Sequence, residues 1–330
     1  MKTKILYRLM LVSFLTSMLF ACKKDGAKDT STNMSDADLA TQSDDQTRVS
    51  NETDAAFDDV SLAMNDQAAV TGSSETPAVR YGVATQGVDT VKKTIVCDAV
   101  VTIDTSNAVH KLQIIYNGKT GCGINRKRTG TITVSIPAGV RWRDKGAVVT
   151  VTFDLTITRV LDNKSIKLTG THTYTNVTGG NVFALNANST TPIVHTVSSD
   201  NMAITFDNGA QRTWHVARQR SYSYSSGLVV ALSGTHTEGS TTGISEWGTN
   251  RFGNSFTTTI DQPLTVKQSC SWQLTSGQAT LTNAAGKTAI TFGLDASGNA
   301  TGCPVNGATY YFKLVFTGNA GRSYTFIFPY

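Results

Sequence analysis

Val149-Thr150-Val151-Thr152-Phe153-Asp154-Leu155-Thr156-Ile157 alternates without a break, apolar at every odd position and polar at every even one. A strand puts successive side chains on opposite faces, so this stretch predicts a half-buried antiparallel strand with one wet face. The same period runs through Ile132, Val134 and Ile136, and through Leu112, Ile114 and Tyr116. Phe206-Asp207-Asn208-Gly209-Ala210 predicts a hairpin, because Asn-Gly accepts the positive φ angles of a type I′ turn. Residues 283–286 and 318–321 predict two more. No stretch beyond residue 77 keeps a helical period. The length accommodates roughly fourteen to eighteen strands of ordinary size. The expected fold is therefore all-β and antiparallel, a sandwich-like or extended twisted sheet built from hairpins.

Short internal echoes support one continuous β unit. Thr152-Phe153-Asp154 precedes Leu168-Thr169-Gly170-Thr171-His172-Thr173, and Thr205-Phe206-Asp207 precedes Leu232-Ser233-Gly234-Thr235-His236-Thr237. Thr120-Gly121-Cys122-Gly123-Ile124-Asn125 likewise matches Thr301-Gly302-Cys303-Pro304-Val305-Asn306. These pairs suggest duplicated hairpins rather than a repeat of fixed period.

The N-terminus has a different physical character. Lys2, Lys4 and Arg8 precede a short apolar run, Leu11 to Phe20, which is the layout of an export signal and too short for a stable span. Leu19-Phe20-Ala21-Cys22 resembles the lipobox of bacterial lipoproteins, which implies cleavage after residue 21 and acylation of Cys22 as the membrane anchor. Between Lys23 and Thr76 there are twelve Asp or Glu and four Lys or Arg, a net of −8. With few apolar residues to offset ordering entropy, 22–76 is expected to be a disordered, self-repelling tether. A transient helix within Ala55 to Val70 is the one structural hint there. Residues 77–330 form the expected β domain.

That domain carries 22 Lys or Arg against 12 Asp or Glu, a net of +10. A basic surface favours anionic partners such as acidic polysaccharide, lipopolysaccharide phosphate or extracellular nucleic acid. Acidic polysaccharide is the expectation carried forward, and no nucleic acid partner is expected. Four cysteines remain, Cys97, Cys122, Cys270 and Cys303, an even number suited to two disulfides in an exported chain. Three connectivities are open. Proximity and the T-G-C-x-x-N echo favour Cys97–Cys122 and Cys270–Cys303. A four-cysteine zinc site is the alternative, against which stands the lack of any C-x-x-C pair.

The Cys-Lys-Lys-Asp start with its acidic continuation resembles Bacteroidetes-type lipoproteins, in which such residues direct display on the outer surface. Thr102-Ile103-Asp104, the Gly121-Cys122 loop with Arg126 to Thr129, the T-F-D and G-T-H-T segments and Cys270-Ser271-Trp272 resemble the same surface lipoproteins. The resemblance spans roughly residues 95–317 and implies architecture and an outer-membrane, cell-surface location, with the periplasmic face as alternative. It implies no activity. Asp89-Thr90-Val91 resembles the O-glycosylation acceptor of that bacterial group. The closing Tyr324-x-Phe326-x-Phe328-x-Tyr330 resembles the last strand of outer-membrane barrels, but short strands and a Thr-rich outer face favour a soluble domain.

Chemistry-bearing residues are sparse. His172 shares strand parity with Ile166, Leu168 and Tyr174, and His236 with Val230 and Leu232, which predicts structural histidines on an apolar face. No metal set and no cofactor motif emerge, and no G-x-S-x-G elbow is present. A hydrolase would need two facing carboxylates, for example Asp154 with Glu238 or Glu246. The most suggestive surface is the strand Gln211 to Tyr224. Its even positions put Trp214, Arg218, Arg220, Tyr222 and Tyr224 on one face, a chemistry suited to stacking on sugars and pairing with their acidic groups. A cation–π ladder within the sheet is the competing reading, and Trp142, Trp247 and Trp272 are expected to fill or cap the core. The expected function is a non-catalytic binding or structural module. A secreted hydrolase and a coat or adhesin component are the alternatives.

Overall fold

The computed structural model describes residues 36–66, 96–119, 126–303, 309–319 and 321–330. Cys22, Thr90, Cys122 and the signal peptide lie outside the described residues. One helix, α1 (Asp36–Asp66), precedes fifteen described strands. They are β1 (Ala99–Asp104), β2 (Val109–Asn117), β3 (Arg126–Pro137), β4 (Ala147–Arg159), β5 (Ser165–Asn176), β6 (Ile193–Phe206), β7 (Gln211–Tyr224) and β8 (Leu228–Gly234). Then follow β9 (His236–Glu238), β10 (Thr241–Thr249), β11 (Ser255–Lys267), β12 (Gln273–Asn283), β13 (Gly286–Leu294), β14 (Tyr311–Gly318) and β15 (Ser323–Pro329). The all-β, antiparallel expectation holds. The chain forms two compact units, Ala56–Tyr222 and a second that joins 36–55 to Ser223–Tyr330.

The Ala56–Tyr222 unit is a plain antiparallel meander in which each of β1 to β7 pairs with the next. Register keeps the alternation of β4 on one face across its neighbours, with Ile132 opposite Phe153, Val134 opposite Val151, and Leu155 opposite Leu168. Val149, Val151, Phe153, Leu155 and Ile157 are all buried. Burial at roughly 25 cal/mol per Å² of apolar surface holds this face in register, because a one-residue slip would turn every one of these side chains to water. Beyond β5 the pattern passes through a bulge in β6, between Ser199 and Met202. It switches the buried parity from Val197 to Met202 and Ile204. Asn201 steadies the bulge, its Oδ1 accepting from the Thr171 N–H and hydroxyl at 3.0 Å.

The second unit pairs β10 to β15 consecutively, with β8 on β11 and β9 on β10. Its core is a smaller aromatic cluster of Leu274, Tyr310, Phe312 and Tyr330, flanked by Phe292 and Phe328. The Tyr330 hydroxyl accepts from the Gly293 N–H and donates to the Leu274 carbonyl.

Two expectations are corrected. The 22–76 tether is helical across Asp36–Asp66, with Val49, Ala56, Phe57, Val60, Ala63 and Met64 buried. Spaced three and four apart, these residues form one stripe, so apolar content that is low on average is concentrated where it counts. The Asp207 hairpin is also not type I′. Gly209 alone takes positive φ (+80°), and its N–H bonds the Phe206 carbonyl, giving a three-residue loop ended by a glycine bulge. The predicted positions of all three hairpins are correct, with Asn283 and Gly286 paired and Gly318 bonded to Arg322.

The echoes have a partial structural meaning. Gly170 has φ +123°, and a Cβ there would lie 2.5 Å from the Asn201 carbonyl oxygen. At Gly234 a Cβ would lie 2.0 Å from the Gly243 carbonyl oxygen. Both glycines of G-T-H-T thus admit a neighbouring strand at close range. T-F-D is not equivalent in its two copies: Phe153 sits mid-strand, whereas Phe206 ends β6 and opens the turn. Gly170→Ala is expected to cost about 1–3 kcal/mol from its positive φ alone, with the clash in addition. Gly209→Ala, facing open space, should cost only about 1–2 kcal/mol. Urea midpoints of the two variants would measure this, and equal shifts would refute the close-approach role.

Candidate functional site

The face singled out on β7 is continuous, but it is not an open surface. Trp214 is 1% exposed, Arg220 6% and Tyr222 8%, while Arg218 and Tyr224 are half-buried. Even positions of β7 share the side that Val216 and the β4 core occupy, and helix α1 lies over that side. The Arg220 guanidinium sits 3.9 Å from the centre of the Phe57 ring and 3.1 Å from Asp58 Oδ1. Phe57 also meets Tyr174, with ring centres 4.7 Å apart. An arginine can be buried here because the helix brings the counter-charge with it. The expectation that Trp214, Arg218, Arg220, Tyr222 and Tyr224 present a free ligand face is therefore corrected for the buried members.

His195 stands opposite Arg220 in the β6–β7 register. It is buried against Trp142 and Tyr222, at ring-centre distances of 5.0 and 5.1 Å. Burial, with the Arg220 charge added, pushes its pKa down to about 4. It is therefore a neutral imidazole at physiological pH.

A second cluster joins the helix to β1, β2 and β3. Arg128 donates to both carboxylate oxygens of Asp98, at 2.8 and 2.6 Å, and to Asp59 at 2.7 Å. Its guanidinium also lies 4.3 Å above the Tyr116 ring, and the Tyr116 hydroxyl donates to Asp59 at 2.8 Å. Burial holds the Asp59 carboxyl above the usual carboxylate value, against the opposing pull of Arg128, Tyr116 and Arg126. Tyr116 is raised well above a free phenol by burial and by the Asp59 charge.

The unit built from 36–55 and Ser223–Tyr330 shows similar chemistry on its own terms. Arg251 forms a bidentate pair with Asp45, both bonds at 2.5 Å. Fully buried Glu246 accepts from Ser50 Oγ at 2.9 Å and from Gln46. Of the carboxylates considered for hydrolysis, Glu246 is thus held by the helix and Glu238 is exposed on β9, while Asp154 pairs with Lys167 at 3.0 Å. His236 is half-buried and stacks on Trp247 at 4.1 Å. His172 is buried among Phe153, Tyr174 and Trp214. Both have the surroundings of structural histidines, His236 through one tryptophan rather than a wholly apolar face. Cys270 and Cys303 stand at disulfide distance with Cα atoms 5.1 Å apart, and Cys97 is disulfide-bonded. Its expected partner, Cys122, lies outside the described residues.

Comparisons with protein-family models, curated proteins and solved structures find no match for this chain. Among the described residues no helix is long and apolar enough to cross a membrane, and no three His, Cys, Asp or Glu side chains gather as a metal site.

The opposite face of β3, β4 and β5 is open. Register aligns its hydroxyls in rows, Thr133–Thr152–Thr171 and Ser135–Thr150–Thr173. Rows of this kind repeat at about 4.8 Å between strands and about 7 Å along them. Lys111 lies beside Ser135 on the same side. Sequence reasoning missed Phe57, Asp58, Asp59, Asp98 and Arg128. The usable signal was the spacing of Val49, Thr53, Ala56, Phe57, Val60, Ala63 and Met64, which a residue-average view of 22–76 conceals.

Proposed function

We propose that this chain is a lipid-anchored protein of the bacterial outer membrane, displayed on the cell surface. Its β domain works as a non-catalytic module that contacts extracellular polysaccharide. The observation that carries the binding reading is the in-register hydroxyl array on β3 to β5, left open while the arginine face is occupied by the helix. Hydroxyls donate and accept, matching sugar hydroxyls in regular spacing, and Lys111 and Lys127 on the same side favour a polymer that carries acidic groups. The lipobox resemblance at Cys22 and the acidic residues behind it support the location.

A glycan array probed with the purified protein tests the binding reading. Retention of an acidic polysaccharide is expected, with at least about a ten-fold loss in a Thr152→Val, Thr171→Val double variant that keeps β propensity but removes two hydroxyls. No retained glycan, or unchanged retention by the double variant, would sink it. Palmitate labelling of wild type against Cys22→Ala tests the anchor, and equal labelling would overturn it.

A further inference from the structure

We infer that the helix-facing side of β2 to β7 is a recognition site for an acidic, aromatic helical segment, filled in cis by α1, and that a second copy of this chain is its partner in trans. Three consecutive side chains are read individually. Phe57 is held between the Tyr174 ring and the Arg220 guanidinium. Asp58 pairs with Arg220. Asp59 takes Arg128 and the Tyr116 hydroxyl. Four receptor side chains on four strands thus specify aromatic, acid, acid in that order.

The ligand segment has little helical stability of its own. Asp36–Asp66 contains nine Asp or Glu and one Arg, and its last turn carries no basic residue to complement the helix dipole. Its order comes from docking, as for most amphipathic helices. Nor does the covalent chain confine it to its own sheet. Residues 67–95 separate Asp66 from Val96, and 95 − 66 gives 29 residues. Such a stretch can reach on the order of 100 Å when extended, several times the radius of gyration of a unit this size. A cis helix on a linker of this kind competes at an effective concentration of roughly millimolar. Exchange between copies makes the same contacts and so becomes significant at that concentration, or where chains are crowded together.

The test uses the full chain and a fluorescent synthetic peptide of residues 45–66. In a Phe57→Ala, Asp58→Ala, Asp59→Ala variant the cis competitor is weakened, so the peptide should bind at least about ten-fold tighter than it does to wild type. Adding Arg220→Gln to that variant should cancel the gain, and a peptide bearing the three alanines should not bind. If the triple variant loses its cooperative thermal transition, Asp58→Ala alone provides the same comparison. Peptide binding no tighter to the weakened chain than to wild type overturns the recognition site. Light scattering tests the partner. Wild type should show a dimer fraction as it approaches millimolar concentration, reduced by excess peptide. A strictly monomeric wild type at that concentration overturns the second copy as occupant.

Discussion

Arg128→Ala is expected to destabilise the Ala56–Tyr222 unit by about 3–5 kcal/mol, the range for removing one partner of a buried ion cluster. Asp98 is 1% exposed and receives both of its strong bonds from this guanidinium. Without it, two carboxylates and the Tyr116 hydroxyl share a site with no bidentate donor. Burial alone would lower the Arg128 pKa, yet the Asp98 hydrogen bonds and the Asp59 charge outweigh it and hold the value above that of free arginine. Arg128→Lys should recover only part of the loss, because an ammonium cannot span Asp98 and Asp59 with a fixed fork. Asp59→Asn should cost much less than Arg128→Ala, since burial already favours the neutral form of that carboxyl. Urea denaturation at pH 7 measures all three. A loss below about 1 kcal/mol for Arg128→Ala would place the pair among surface bridges and contradict the buried cluster.

The second large effect is a pH dependence carried by His195. Its folded pKa is depressed to about 4 from 6.5, so between those values the unfolded chain binds the proton and the folded chain does not. Stability from this residue is therefore complete above pH 6.5 and falls as pH drops toward 4. The full loss is about 3 kcal/mol, at 1.36 kcal/mol per pKa unit. Burial supplies most of the depression, and Arg220 adds repulsion against a second cation. In His195→Phe the ring contacts to Trp142 and Tyr222 can persist while the titration is gone. Subtracting the variant's unfolding free energies from those of wild type at pH 7, 5.5 and 4.5 isolates the residue from the carboxylates. The difference should shrink by about 2 kcal/mol or more over that range; a constant difference would refute the assignment.

Much of the fold was legible because strand patterning is local. Val149 to Ile157 named both its period and its buried side, and Asn208-Gly209 marked its hairpin although the loop takes one residue more than a type I′ turn. The site was less legible. Trp214, Arg220 and Tyr222 were correctly placed on one face of one strand, but nothing within β7 says what lies above it. Asp58 and Asp59 are 162 and 69 residues from the arginines they pair with. In sequence they read as two more charges in an acidic leash.

The sequence alone determined the β class, the hairpin positions, the acidic and basic halves of the chain, and the lipobox with its Cys22. These follow from short-range periodicity, turn chemistry and net charge, which need no knowledge of distant partners. Only the tertiary structure decided that the acidic half is not all tether. The stripe from Val49 to Met64 stabilises a helix only when a sheet is there to bury it, and Arg128, Arg220 and Arg251 stay inside only because the helix neutralises them. Each depends on the other, so neither could be read from one segment, and the surface left open is the threonine face that no helix covers.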